Sequence, residues 1–160
     1  DWEEVPDEGD GDAGETDGDI LYADELPEAE TVWGPFYVWK AEPLSARSVR
    51  AVLLAPRQWV VTVDEARSVC EAYEVDDMTG WRVLTLEEAK EFRDQYSGTI
   101  LDLSAFLYEN GIDRFDKYDL RYLCNDFNST FCFYNDRITS SGKTVDYGLR
   151  LVKEVVVEKR

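Results

Sequence analysis

The side chains that most often carry catalysis or hold metal ions are sparse in this chain of 160 residues. Histidine, the commonest general base and zinc ligand, is absent. A cysteine nucleophile would therefore lack its usual base. Carboxylates are abundant, but no two of them are marked out as a pair for glycoside hydrolysis. We therefore expect a non-catalytic protein that needs no cofactor.

The chain has three cysteines, which are too few to build a disulfide scaffold. Cys124 and Cys132 flank an apparent hairpin, so we predict one disulfide between them. An exported protein would permit this bond. Cys70 is then left over, and we expect it to be a small buried apolar residue.

Acidic residues are concentrated at the start of the chain. Of the 35 Asp and Glu residues, 14 fall in residues 1–30, which contain no Lys or Arg. The formal net charge of −18 falls to −4 in the remainder, where 21 acids face 17 bases. Residues 1–30 are also poor in apolar side chains, and this composition predicts a disordered acidic tether.

The charge also restricts the partners that this chain can bind. A protein this acidic repels nucleic acid and anionic membranes, so we expect no nucleic-acid partner. We also predict no transmembrane segment, because no apolar run approaches the roughly 20 residues that span a bilayer.

Calcium binding is the alternative interpretation of the acidic segment, since carboxylate oxygens are the ligands that calcium prefers. The candidate ligands are Asp10, Asp12, Glu15, Asp17 and Asp19. Glu15 stands where an EF-hand loop requires glycine, so the spacing fails. We therefore favour a solvated tail without a metal site.

From Thr31 onward the pattern predicts one α+β domain, residues 31–160. Thr62 with Glu65, and Thr85 with Glu88, form two capping boxes that each start a helix. Strands are expected before and after the helices, which is typical of helices segregated against an antiparallel sheet. The helix after Thr85 is predicted at Leu86–Tyr96, and a third helix at Leu103–Glu109. Strands are predicted at Phe36–Trp39, Val49–Leu54, Arg121–Cys124, Phe131–Tyr134 and Tyr147–Val157.

Two segments resemble the signatures of a known family. Gly80–Glu88 resembles a GWRLPTxxEL segment, and Tyr147–Lys153 resembles a closing VRLV strand. Together they resemble the Lcl C-terminal domain and the Fibrobacter major paralogous domain over about residues 59–154. The resemblance implies a C-type-lectin-like fold, distantly similar to formylglycine-generating enzymes. Val83-Leu84 departs from the family, which has Leu-Pro there.

Side chains alternate between the two faces of a strand, and this alternation indicates a structural role for most of the signature residues. Trp81 and Val83 would share one face in the core, and Arg82 would pair with a nearby carboxylate. Leu149 and Leu151 should be core residues, with Arg150 on the opposite face. We give a structural role to six residues: Trp81, Arg82, Thr85, Glu88, Leu149 and Arg150.

The lectin-like fold implies a binding surface near the hairpin that Cys124 and Cys132 flank. Seven polar or aromatic residues in this region are the candidate binding residues. The alternative is a purely structural role, in which the Asn and Asp residues of this region only form turns. The tripeptides of calcium-dependent lectins are missing, although Cys124-Asn125-Asp126 weakly resembles one of them. The candidates are Asn125, Asp126, Asn128, Tyr134, Asn135, Asp136 and Arg137.

These observations predict an exported bacterial protein that binds a protein or a glycan at the cell surface. The acidic tether, and a chain that starts at Asp1 without Met, suggest an upstream lipid anchor. Two alternatives stay open: a calcium-independent carbohydrate-binding module, and a structural or adhesin subunit. The sequence leaves the oligomeric state open.

Overall fold

The structure is a computed structural model that describes residues 20–116 and 120–160. The candidate calcium ligands and the tether up to residue 19 lie outside these described residues. Within the described ranges the protein is α+β, with three helices and a large mixed sheet that is mostly antiparallel. The predicted fold class is confirmed at this level.

The nine strands of the described residues include two long ones, β4 and β9. The helices are α1 (Val63–Ala72), α2 (Leu86–Tyr96) and α3 (Ile100–Glu109). The strands are β1 (Ile20–Ala23), β2 (Thr31–Trp33), β3 (Phe36–Ser45), β4 (Ser48–Val61), β5 (Arg82–Val83), β6 (Tyr122–Leu123), β7 (Ser129–Phe131), β8 (Thr139–Ser140) and β9 (Tyr147–Lys159).

The described residues divide into two compact units. The first unit contains residues 20–34, 38–53 and 153–160, and the second contains residues 35–37 and 54–152. The long strands β4 and β9 contribute residues to both units.

In the first unit, strand β1 corrects the predicted boundary of the tether. Ile20 to Ala23 pair in parallel with Val156 to Lys159 of β9. Asp24 also forms an ion pair of 3.0 Å with Arg160. Residues 20–23 are therefore part of the sheet, because strand pairing satisfies their backbone despite the acidic composition around them.

In the second unit, both predicted capping boxes are confirmed. Thr62 and Thr85 each accept a hydrogen bond from the N3 amide, and Glu65 and Glu88 each accept one from the cap amide. Helix α2 has the predicted bounds and buries Ala89, Phe92 and Tyr96. It packs on an aromatic cluster whose ring centroids lie 5.3–6.0 Å apart: Phe92, Phe115, Tyr122, Phe131 and Phe133.

The two signature segments lie side by side in the second unit. Strand β5 pairs antiparallel with β9 through Val83 opposite Leu151 and Arg82 opposite Val152. Trp81 is 3% exposed, and its ring centroid lies 5.5 Å from that of Phe36. The predicted core positions of this segment and of β9 are therefore confirmed.

The predicted carboxylate partner of Arg82 is Glu88. The guanidinium donates to both carboxylate oxygens, at 2.7 and 3.0 Å, and the Thr85 amide donates to one of them at 2.9 Å. Burial raises the pKa of Glu88, but the hydrogen bonds from Arg82 and Thr85 and the Arg82 charge outweigh it, so this pKa lies below its usual range. The carboxylate therefore stabilises the fold in its ionised form.

We expect Glu88→Gln to lower the free energy of unfolding by about 1.5–3 kcal/mol at pH 7. The lowered pKa in the folded state means that the stabilisation is complete above the unfolded pKa of about 4.3. It is lost as the pH falls through the folded-state pKa. Urea unfolding at pH 7 and pH 3 should show a difference between wild type and variant that shrinks at the lower pH.

Glu65 provides the matched control for this variant. It occupies the same N3 position in α1 and accepts from Thr62, but it is exposed, and no arginine that the structure describes pairs with it as Arg82 pairs with Glu88. Glu65→Gln should therefore cost less than Glu88→Gln. Equal losses in the two variants would show that the ion pair with Arg82 contributes nothing.

Candidate functional site

The hairpin of β6 and β7 turns earlier than its sequence predicts. Tyr122 pairs with Phe131 and Leu123 with Thr130, so the turn covers residues 124–128. Phe133 and Tyr134, predicted to lie in a strand, follow β7 in a loop. This shift moves four of the candidate binding residues, Tyr134 to Arg137, out of the hairpin and into that loop.

Asp126 is a turn former rather than an open carboxylate. Its Oδ1 accepts from the amides of Asn128 and Ser129, both at 2.9 Å, and its Oδ2 accepts from the Ser129 hydroxyl. Burial raises the pKa of Asp126, but these hydrogen bonds outweigh it and hold the pKa below its usual range. Asn125 and Asn128 are exposed on the same turn, and the backbone N–H of Asn125 donates to Leu84 O.

The predicted disulfide between Cys124 and Cys132 is not formed, and both residues are buried free cysteines. The hairpin register places Cys124 beside Ser129, with 3.0 Å between the Cys124 amide and the Ser129 carbonyl. Cys132 lies three residues further along that strand, which is roughly 10 Å. A disulfide spans less than about 7 Å between Cα atoms, so this register does not support the bridge. Cys70, expected to be buried, is half-buried.

The loop after β7 exposes the remaining four candidates, Tyr134, Asn135, Asp136 and Arg137. The ring of Tyr134 is the most prominent, because this residue is 66% exposed. Asn135 Oδ1 accepts from the Arg137 amide at 2.9 Å, which closes a turn of the kind that Asn side chains favour. The amide oxygen of Asn135 is therefore engaged within the loop.

Two arginines donate hydrogen bonds to the backbone carbonyls of this loop. Arg93 of α2 donates to Asp136 O at 3.1 Å, and Arg121 donates to Arg137 O at 2.7 Å. Arg121 also donates to the hydroxyl and carbonyl of Thr130 in β7. We call residues 134–137, with these two donors, the clamped loop. Charge-assisted hydrogen bonds of this kind fix the backbone while the four side chains stay exposed.

No local sequence pattern predicts the role of Arg93. An arginine on an amphipathic helix is normally assigned to the solvent face, but Arg93 is only 8% exposed. Its guanidinium also contacts Asp94 Oδ1 at 3.1 Å, which balances its charge. Only the tertiary position of the loop shows what this side chain binds.

Burial and hydrogen bonding shift the pKa values of several groups in the second unit. Burial raises the pKa of Cys124 to about 11 and that of Tyr122 to about 12, so both stay neutral at pH 7. The shifted carboxylates that the structure describes, Glu65, Glu88 and Asp126, are all shifted towards the ionised form. None of these three is tuned to hold a proton near neutral pH, as a general acid would.

No known family, curated protein or solved structure matches this chain. Among residues 20–116 and 120–160, no group of three His, Cys, Asp or Glu side chains is arranged to hold a metal ion. The same residues contain no helix that is both long and apolar enough to cross a membrane. The candidate site therefore rests on the geometry of the clamped loop.

Proposed function

We propose that this chain is a non-catalytic binding domain that recognises a partner protein through the clamped loop. The observation that carries the proposal is the contrast within residues 134–137. Their backbone is fixed by Arg93 and Arg121, whereas the side chains of Tyr134, Asp136 and Arg137 are exposed.

A loop that is already ordered loses less conformational freedom when it binds, so more of its contact energy appears as affinity. Exposed binding residues on loops held by a rigid scaffold are also the usual arrangement in recognition domains. Tyr and Arg are the residue types that dominate binding energy at protein interfaces, and the loop presents one of each. These three features support a recognition role.

The contacts of the loop favour a protein over a glycan at this position. Recognition of a sugar would use amide and carboxylate oxygens, but the Asn135 Oδ1 and the oxygens of nearby Asp126 are engaged in turns, so the loop itself offers only the Asp136 carboxylate. Tyr134 and Arg137 instead offer the mixed apolar and cationic surface typical of protein interfaces. A calcium-independent carbohydrate-binding module and a structural or adhesin subunit are the alternatives to this proposal.

We further propose that the fold is C-type-lectin-like and of the Lcl or Fibrobacter major paralogous kind. The support is the direct pairing of β5 with β9, which joins the two signature segments through Val83 and Leu151. The predicted helix caps and core positions of these segments also agree with that interpretation.

The proposed setting is the bacterial envelope, to which the exported domain would be held by an upstream lipid anchor. The support is compositional: residues 1–19 contain ten acids and no Lys or Arg. A composition this acidic is repelled by an anionic surface, so it suits a segment that separates the folded part from a membrane. Fractionation of the source cells tests this, and recovery in the cytosol alone would contradict it.

Site-specific photo-crosslinking tests the clamped loop directly. A benzophenone amino acid at position 134 should form a discrete adduct with one protein in source cells. Position 22 provides the matched control, since Tyr22 is 60% exposed and lies in the other unit. We expect the adduct at position 134 to be absent at position 22, and to be lost when Arg137→Glu is added.

Two outcomes would count against this function. The same adducts at positions 134 and 22 would show that the cross-linker reports random collisions. An adduct that survives Arg137→Glu without loss would place the interface elsewhere.

A further inference from the structure

The second unit contains a cleft of about 550 Å³, and no residue of the clamped loop lines it. It is lined by α3, by residues 114–116 and by Gln58 of β4. An adjoining cleft of about 470 Å³ shares Gln58, Tyr108 and Arg114. Volumes of this size are typical of sites for small molecules.

The apolar wall of the cleft comes from a second stripe on α3. Ile100, Leu103 and Leu107 form the buried face of this helix. Leu101 and Tyr108 are spaced i and i+7, so they share another face of the helix, and both line the cleft. They are 55% and 67% exposed, which leaves an apolar, partly aromatic surface open to solvent.

The polar wall carries charges of both signs. Glu109 and Asp116 line the larger cleft, and Asp113 lines the adjoining one. The Arg114 guanidinium lies 4.9 Å from the ring centroid of Tyr108, and it forms no ion pair with any residue that the structure describes. Hydrogen-bond donors and acceptors therefore meet an aromatic ring in one place.

We propose that this cleft binds a neutral saccharide. The hydroxyl groups of a sugar both donate and accept, so they match the carboxylate acceptor at Glu109 and the guanidinium donors at Arg114. The apolar face of a sugar ring would pack on Tyr108 and Leu101, which removes their exposed surface from water. The volume admits one or two rings.

Charge selects the kind of saccharide. Among the residues that the structure describes, three carboxylates line the two clefts against one arginine, and the protein as a whole carries a formal charge of −18. A uronate or another acidic sugar would be repelled by this field, whereas a neutral sugar is not affected. This proposal depends on the cleft alone and is independent of the partner proposed for the clamped loop.

Saturation-transfer NMR with the complete chain tests the proposal. The probes are a panel of neutral disaccharides (maltose, cellobiose, lactose and chitobiose) with glucuronate as the anionic comparison. We expect signals for at least one neutral disaccharide and none for glucuronate. Tyr108→Ala and Arg114→Ala should each weaken binding about tenfold or abolish the signal.

The matched control is Tyr22→Ala, since Tyr22 is about as exposed as Tyr108 and lies outside the cleft. This control should bind as the wild type does, and thermal melting should show that Tyr108→Ala remains folded. Silence of the whole neutral panel would overturn the proposal, as would binding of glucuronate alone. Binding that survives Tyr108→Ala but is lost in Tyr134→Ala would overturn it too, because it would place the sugar on the clamped loop.

Discussion

Replacing Arg150 by alanine should lower the free energy of unfolding by about 3–5 kcal/mol. Arg150 is 3% exposed, although the sequence placed it only on the face opposite the core residues of β9. Its guanidinium donates to Asp113 O at 2.8 Å and to Ala55 O at 3.2 Å, and it lies 4.3 Å from the ring centroid of Phe115. The truncation leaves a cavity and removes the guanidinium donor from the buried hydrogen bond to Ala55 O and from the part-buried one to Asp113 O.

Burial lowers the pKa of Arg150 to about 10, so the side chain is still charged at pH 7. Its Nε has no hydrogen-bond partner among the described residues, so part of its desolvation is uncompensated. Arg150→Met keeps most of the volume and removes the charge. We therefore expect the methionine variant to be more stable than the alanine variant.

Denaturant unfolding of Arg150→Ala, Arg150→Met and Arg47→Ala provides the measurement. Arg47 donates to Lys159 O at 3.0 Å but is exposed, so its removal should cost less than about 1 kcal/mol. Similar losses for Arg150→Ala and Arg47→Ala would refute the buried role of Arg150.

The second large effect is expected for Gly148→Ala in β9, which should cost about 2–3 kcal/mol. A Cβ atom at this position would lie 2.7 Å from Tyr122 Cδ2 and 2.8 Å from Leu120 Cδ2. Tyr122 cannot easily move aside, because it is 1% exposed and its hydroxyl accepts from the Asp116 amide and donates to Gln58 Oε1, both at 2.8 Å. The extra methyl group must therefore displace β9 or break these hydrogen bonds.

Gly98→Ala is the control for this variant, since a Cβ atom there meets nothing within 4 Å. Thermal and urea unfolding should place Gly98→Ala within about 0.5 kcal/mol of the wild type. A Gly148→Ala variant as stable as Gly98→Ala would show that β9 can accommodate the side chain without strain.

Local signals in the sequence predicted the first two helices well. Thr85 and Glu88 satisfy each other within one turn, so their pattern is visible without knowledge of the rest of the fold. The start of α3 was predicted three residues late, at Leu103 instead of Ile100. The reason is that its N-cap, Thr99, makes no side-chain capping hydrogen bond and so gives no such signal.

Features that depend on pairing between distant segments were not predictable in this way. Composition around Ile20 indicated disorder, but β1 is held by residues that follow 136 positions later. The register of Tyr122 opposite Phe131 likewise decides that Cys124 and Cys132 are too far apart to bond.

The candidate site was predicted in part. Tyr134 to Arg137 were selected from residue type, and the structure places them together in one exposed loop. The donors that fix this loop, Arg93 and Arg121, come from a helix and from the residue before β6. Neither position has a local pattern that distinguishes a loop-binding arginine from a solvent-exposed one.

Strand β9 has a consequence for how the chain acquires its structure. It pairs with β1 at residue 20, with β5 at residue 82 and with β6 at residue 122, so its partners are spread over most of the sequence. On a ribosome, none of these pairings can form until β9 has been synthesised. Contacts of such large sequence separation slow folding. Strands β1, β5 and β6 therefore lack their β9 partner until β9 has been made, whereas β6 and β7 can already pair with each other.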